Sequence, residues 1–237
     1  MELAVRRPSK IVAVHLNYRS RAAQRGKVPR FPSYFFKPPS ALAPPGVLER
    51  PAGTELLGFE GEIALVIGTR AVAVAPGDGW RHVAAVTAAN DFGVYDLRAA
   101  DAGSNVRSKG ADGFLPIGPV LLGARDVAPD GLRLRTWLNG DLVQQASSAD
   151  LLFDFGFLVA DLSQTLTLEP GDIVLTGTPA GASVAVPGDL VEVEVDAGAL
   201  TSGRLATRIA EGARGYRIGA RPATDPELAR LAWGTDD

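Results

Sequence analysis

Residues 56–68 read LLGFEGEIALVIG. The stretch predicts a strand whose second half, IALVIG, is apolar without alternation and therefore buried on both faces. Glu60 and Glu62 stand at the head of that run. Residues two apart on a strand point the same way, so both carboxylates fall on one face of an otherwise buried element. At ~5 Å and an effective dielectric near ~20, two ionised carboxylates repel by roughly 3 kcal/mol. Either one keeps its proton or a cation sits between them. The plain alternative is a frayed, exposed Glu60 and a Glu62 paired with an arginine.

Working outward, VAAVTAAND (83–91) ends on Asp91, at a strand terminus from which a carboxylate can project into a cleft. Capping a turn or helix is the commoner use of such a residue. Three carboxylates with little histidine suit a hard divalent cation, Mg²⁺ or Mn²⁺, rather than zinc or copper. Lys109 lies in the glycine-rich segment RSKGADGFLPIG (107–118). The chain holds four lysines against twenty arginines. A lysine in a tight loop therefore points to a required compact ammonium, against the ordinary reading of an exposed cation. Thr176-Gly177-Thr178-Pro179 ends the run IVL, where it can offer hydroxyl and N–H groups to an anion or serve only as a turn.

The remaining segments read as short elements. KIVAVHLNY (10–18) alternates as a strand, and RSRAAQRGKVPR (19–30) follows as a loop or short helix. His15 reads as a core or strand histidine. SYFFKPPSALAPPG (33–46) is a short strand running into irregular chain, and PGDGWRHVAAVTAAN (76–90) a turn followed by helix and strand. GLRLRTWLNGDLVQQ (131–145) is a hairpin about Asn139-Gly140, a pair that type I′ turns favour. SSADLLFDFGFLVADLSQTLTL (147–168) has helical spacing with Ser147 and Ser148 as caps. In VPGDLVEVEVD (186–196) the valines face one side and the acids form a solvated face. ATDPELARLAW (223–233) is a short helix with Asp225 as cap and Pro226 in its first position.

The whole predicts an α+β, β-rich unit. Residues 1–50 form an N-terminal segment with a strand and a lid, 51–215 the catalytic region, and 216–237 an appendix. Glycine and proline make up 44 of 237 residues, which favours many turns and short strands. A formal charge of −3 argues against nucleic acid or an anionic membrane as partner. No apolar run reaches the length of a membrane span, the start lacks a signal-peptide pattern, and a cytoplasmic location is expected. The absence of cysteine rules out disulfides and thiolate chemistry. There is no nucleophile elbow, phosphate loop or dinucleotide fingerprint.

In order along the chain, KIVAVHLNYRS, SYFFKPPSAL, FEGEIALVIG, ANDFGVYD, SKGADGFLPIG, LRTWLNGDLVQ and GDIVLTGTPAG resemble the fumarylacetoacetate hydrolase family. Through ADLLFDFGFLVADLS and RTWLNGDLVQQ, the chain is most similar to the homoprotocatechuate-pathway decarboxylase/isomerase branch, which includes the 2-hydroxyhepta-2,4-diene-1,7-dioate isomerases. The resemblance implies a mixed β-roll and a homodimer. It assigns Glu60, Glu62 and Asp91 to Mg²⁺ or Mn²⁺, and Lys109, with Glu60, to catalysis. Thr178 is assigned to the substrate carboxylate, and Gly177 and Tyr18 join the substrate-binding set; Arg21, which departs from the family pattern, is expected to hold a distal substrate carboxylate through a charge-assisted contact. One departure stands out. Where the family carries N-Y-x-x-H-x-x-E on a lid, this chain has Asn17-Tyr18-Arg19-Ser20-Arg21-Ala22-Ala23-Gln24. Neither Arg21 nor Gln24 is a usable general base.

The expected function is a divalent-metal enzyme acting on a small 2-oxo acid. The favoured reaction is decarboxylation or isomerisation of an unsaturated 2-oxo di- or tricarboxylate from aromatic catabolism. Two alternatives stand beside it: C–C hydrolysis of an acylpyruvate, and a low-activity subunit that supports a paralogous partner. Intact carboxylates count against the last alternative, and the missing dyad counts for it.

Overall fold

The computed structural model describes residues 7–234. Six residues of the N-terminal stretch read against a signal peptide therefore lie outside the described region. The IALVIG run forms the strand Gly61–Ile67, buried at every position. Alternation divides its side chains between two cores. Ile63, Leu65 and Ile67 enter one, and Ala64 and Val66 the other. A strand covered on both faces needs no polar alternation, which accounts for its composition.

Gly61–Ile67 lies inside a six-stranded mixed sheet. Its antiparallel neighbours are Val83–Asn90 and Ile173–Leu175. Ile11–Val14 runs parallel to Ile173–Leu175, while Tyr34–Lys37 and Leu122–Gly123 form the edges. A second sheet follows the order Asp141–Ser147, Arg133–Leu138, Leu190–Ala197, Leu205–Gly215 and Gly46–Ala52. Leu134, Val193, Val195 and Leu205 from this sheet meet Ile63, Leu65 and Ile67 in the larger core. Burial of these aliphatic faces, worth about 25 cal/mol per Å² of apolar surface, holds the two sheets together. The result is the mixed, strand-rich roll that the sequence predicts.

Several local expectations need correction. The stretch 56–68 is two strands, Leu57–Phe59 and Gly61–Ile67, which belong to different sheets. The ladder breaks at Glu60 because its N–H donates to the Asn90 side chain (2.9 Å) while its carbonyl accepts from Asp91 N (2.8 Å). The helix expected from residue 147 begins at Phe155 and ends at Ser163, with Asp154 accepting from Phe157 N (2.7 Å). Ser147 instead caps a single 3₁₀ turn, Ser148–Asp150. The acids at 192–196 are paired rather than simply solvated: Glu192 meets Arg204, Glu194 meets Arg135, and Asp196 meets both Arg133 and Arg135.

Other features agree with expectation. Asn139 and Gly140 both take positive φ (53° and 92°), as a type I′ hairpin turn requires. Pro226–Trp233 is helical, and Asp225 accepts from Leu228 N (2.8 Å). The polar stretch after Tyr18 contains a six-residue helix, Arg19–Gln24. Among the described residues, no helix is long and apolar enough to cross a membrane.

Candidate active site

Four backbone segments converge where Gly61–Ile67 begins and Val83–Asn90, Ile173–Leu175 and Ile11–Val14 end, because the register places these termini at one edge. Glu60, Glu62 and Asp91 project there, with one oxygen from each lying within 4.8 Å of the others. Glu60 and Glu62 therefore meet despite sitting on different sides of a strand break. Gly61 between them cannot be enlarged. A Cβ on it would lie 2.1 Å from Thr136 Oγ1.

Each carboxylate has its own support. Gly177 N donates to Glu62 Oε2 (2.7 Å), and Tyr95 Oη donates to Glu60 Oε1 (2.9 Å). Lys37 Nζ donates to Asp91 Oδ1 (2.5 Å), with both side chains essentially excluded from solvent. Lys109 Nζ lies 2.7 Å from Glu60 Oε2 and 3.1 Å from Asp91 Oδ2, and it donates to the Asp91 carbonyl (2.7 Å). Lys109 closes a one-turn helix, Val106–Lys109, and its stem runs across Gly93. A Cβ at position 93 would come within 2.7 Å of Lys109 Cδ, so a side chain there would push the lysine stem aside.

The electrostatics follow from this layout. Burial pushes the Glu62 carboxyl well up, and the neighbouring Asp91 and Glu60 carboxylates push it further. Burial alone would raise Glu60 too, but Lys109 and Arg21 outweigh it and hold the group at about 2. For Lys109 burial acts downward, yet Asp91 and Glu60 dominate and keep it firmly protonated. Burial is the largest influence on Lys37, whose ammonium is pushed down despite its partner Asp91. Three clustered carboxylates with no histidine or sulfur donor match the oxygen-rich environment of a hard divalent cation. The residues fit such an ion. Bound there, it would offset the mutual repulsion that two lysines only partly relieve.

A cavity of about 170 Å³ opens beside the triad, lined by Glu60, Asp91, Lys109, Thr178, Arg21 and Arg25. Arg98, His15, Asn105 and Leu231 also face it. Arg21 donates to Gln24 Oε1 (2.6 Å), Arg25 donates to the Leu231 carbonyl (2.9 Å), and Arg98 lies over the Tyr95 ring. Among the described residues none of these three guanidiniums forms an ion pair with a carboxylate. The cavity wall therefore carries three guanidiniums outside any direct ion pair, with Glu60 offsetting Arg21 and Arg25 only from a distance, an environment suited to an anionic ligand.

The structure brings together Glu60, Glu62, Asp91, Lys109, Thr178 and Arg21. Tyr18 lies off the cavity, although burial is joined by the Glu62 carboxylate in pushing its phenol up. It is completely buried in the main core and does not line the cavity. Gly177 supports Glu62 through its N–H rather than lining the cavity. His15 is not a core residue: it is exposed and lines the cavity, and Asn105 Nδ2 donates to its Nε2 (2.8 Å). Sequence reasoning missed Lys37, Tyr95 and Gln144. Gln144 accepts from Gly61 N (3.1 Å) and donates to Thr178 Oγ1 (2.8 Å), linking the triad to the anion-facing turn. The scarcity of lysine that singled out Lys109 would have pointed equally to Lys37.

The family model described as Fumarylacetoacetate (FAA) hydrolase C-terminal matches residues 10–210. The 4-hydroxyphenylacetate degradation bifunctional isomerase/decarboxylase of Escherichia coli is 39% identical over 203 residues, covering 84% of this chain and 46% of that protein. The chain spans about half the length of the first curated relatives it matches. The crystal structure of 5-carboxymethyl-2-hydroxymuconate delta-isomerase from Mycobacterium smegmatis superposes with a TM-score of 0.78 at 33% identity, covering 87% of this chain and 78% of that one. Fumarylpyruvate hydrolase from Pseudomonas aeruginosa, in complex with Mn²⁺ and pyruvate, gives a TM-score of 0.78 at 26% identity, covering 86% of this chain and 91% of that one. With the family model matched over most of its length and the strand-rich roll shared with these enzymes, the chain belongs to the fumarylacetoacetate hydrolase family.

Proposed function

We propose that this chain is a Mg²⁺- or Mn²⁺-dependent enzyme that decarboxylates or isomerises an unsaturated 2-oxo acid bearing a second carboxylate. The observation that carries this reading is the acidic triad beside a cavity whose wall holds Arg21, Arg25 and Arg98 without carboxylate partners. A divalent ion supplies Lewis acidity toward a 2-oxo carboxylate when bound. The chain's own residues supply the rest. Lys109 presents a fixed ammonium where negative charge collects as electrons flow from the breaking C–C or C–H bond into the 2-oxo oxygen. Thr178, held by Gln144, offers its hydroxyl to the substrate. Arg21 receives the distal carboxylate through a charge-assisted contact.

This reading is favoured over acylpyruvate hydrolysis by the residues at positions 21 and 24. Hydrolysis needs a water deprotonated near neutral pH, and the guanidinium–amide pair Arg21–Gln24 takes no proton. Assayed with Mn²⁺ against a panel of 2-oxo acids, the protein is expected to turn over unsaturated dicarboxylates and to hydrolyse acylpyruvates about 10²–10⁴-fold more slowly than enzymes with a general base. Arg21→Ala should raise KM chiefly for the dicarboxylates, as loss of uniform binding does. Acylpyruvate hydrolysis with kcat near ~10 s⁻¹, the ordinary enzyme range, would overturn the assignment.

A further inference from the structure

The helix Pro226–Trp233 lies beyond residue 210, where the family match ends, yet it forms part of the cavity. Leu231 faces the cavity, and Ala232 is buried against Leu56, Tyr95 and Val184. Tyr95 is the residue whose hydroxyl holds Glu60. The chain leading into the helix is also tied to this region, since Thr224 Oγ1 donates to Asp96 Oδ1 (2.7 Å) and Ala223 N to the Asp96 carbonyl (2.9 Å).

The last carbonyls of a helix have no partners within it. Here three outside donors satisfy them. Arg25 donates to the Leu231 carbonyl (2.9 Å), Ser183 Oγ to the Trp233 carbonyl (3.0 Å), and Gln24 Nε2 to the Gly234 carbonyl (3.0 Å). The other end of the Gln24 amide accepts from Arg21 Nη1 (2.6 Å). A continuous relay thus runs from the end of the C-terminal helix through Gln24 to Arg21 at the cavity wall. Arg21 is only 4% exposed and has no carboxylate partner among the described residues. Glu60 offsets part of its charge across the cavity, but the guanidinium makes no direct ion pair, and an arriving carboxylate can supply one.

We propose that the C-terminal helix is a specificity element of the active site: acting through Gln24, it fixes Arg21 to receive the distal carboxylate of a 2-oxo dicarboxylate. This rests on the dicarboxylate reading above and assigns its selectivity to residues outside the matched family region. Gln24 and the helix are positioning elements, and Arg21 is the group that touches the ligand. The two lid positions where the resemblance implies an acid–base pair thereby serve as a mechanical link in this chain. Fixing a guanidinium in place lowers the ordering cost of binding, because planar, two-point recognition depends on orientation.

The test compares 2-oxoadipate with 2-oxohexanoate, which differ in the terminal carboxylate, by calorimetry on the full chain with saturating Mn²⁺. The wild type should prefer 2-oxoadipate. Gln24→Leu removes both amide hydrogen bonds, and Ala232→Asp forces a charge into the buried seam and lifts the helix. Each should reduce the preference by about tenfold, the worth of one charge-assisted hydrogen bond. Mn²⁺ affinity, measured separately, should stay within about threefold, a margin of well under 1 kcal/mol. An unchanged preference in Gln24→Leu would overturn the inference alone, leaving the dicarboxylate reading standing. Parallel loss of Mn²⁺ affinity in both variants would also overturn it, marking the helix as general support. Equal affinity of the wild type for both acids would overturn the dicarboxylate reading, and this inference with it.

Discussion

Asp91→Ala lowers the melting temperature of the metal-free protein sharply, whereas Glu62→Gln leaves it unchanged or raises it. The contrast comes from the partners of the two carboxylates. Asp91 pairs at 2.5 Å with Lys37, whose side chain has no exposure to solvent. Truncating Asp91 strands that ammonium in the interior, and breaking a buried pair in this way costs about 3–5 kcal/mol. For a chain of this size each kcal/mol is worth about 2–4 °C, so the expected drop is about 6–20 °C. Glu62 has no such cation. Burial and the Asp91 and Glu60 carboxylates oppose its ionisation, and only the Gly177 N–H and, more weakly, Lys109 favour it. The glutamine keeps an acceptor for Gly177 and removes a buried carboxyl that repels two others. Calorimetry in EDTA checks both variants. Equal destabilisation by the two substitutions would mean that Lys37 is not held by Asp91 as described.

Lys109→Met is expected to lower kcat by about 10²–10³-fold without weakening Mn²⁺ binding. The ammonium lies within hydrogen-bond reach of Glu60 and the Asp91 carbonyl, where it can stabilise an enolate oxygen formed beside the triad. Removing the ammonium from among the three carboxylates also removes its repulsion of a divalent ion, which offsets the support it gives to an ionised Glu60. Burial favours the neutral amine, but Asp91 and Glu60 outweigh it and keep the group protonated, so it is not a nucleophile near neutral pH. Borohydride should therefore trap no substrate adduct. Gly93→Ala offers an independent route to the same deficit, because the new methyl would displace the lysine stem. Retention of full turnover in Lys109→Met, or a reducible adduct in the wild type, would refute this role.

The parts of the site that were legible in the sequence are those with a local signature. Two glutamates at the head of an apolar run conflict with their surroundings, and that conflict is visible without a structure. Asp91 follows the adjacent strand directly, so the antiparallel register brings it to the same end. The scarcity of lysine marks Lys37, but its pairing with Asp91 is not legible, because it spans 54 positions and depends on how the edge strand wraps the site. The break at Glu60 was hidden for a related reason. Its N–H is satisfied by the Asn90 side chain rather than by a ladder, and periodicity carries no trace of such a bond. The late start of the Phe155–Ser163 helix reflects a contest between caps. Leu151, Leu152 and Phe153 continue a helical pattern in letters, but Asp154 supplies the acceptor that starts the helix. Tyr18 enters the substrate-binding set by resemblance, whereas its ring lies in the core, a placement that depends on long-range packing and leaves no local signature.

Glu60, Glu62 and Asp91 are expected to hold one divalent cation together. Titration of Mn²⁺ into the full chain, followed by loss of the free-ion electron paramagnetic resonance signal, tests it without depending on any substrate. The wild type should bind at a single site per chain, and Glu62→Ala should lose affinity by about 100-fold or more, since one of three charged ligands is gone. Binding of equal strength and stoichiometry in both proteins would contradict it.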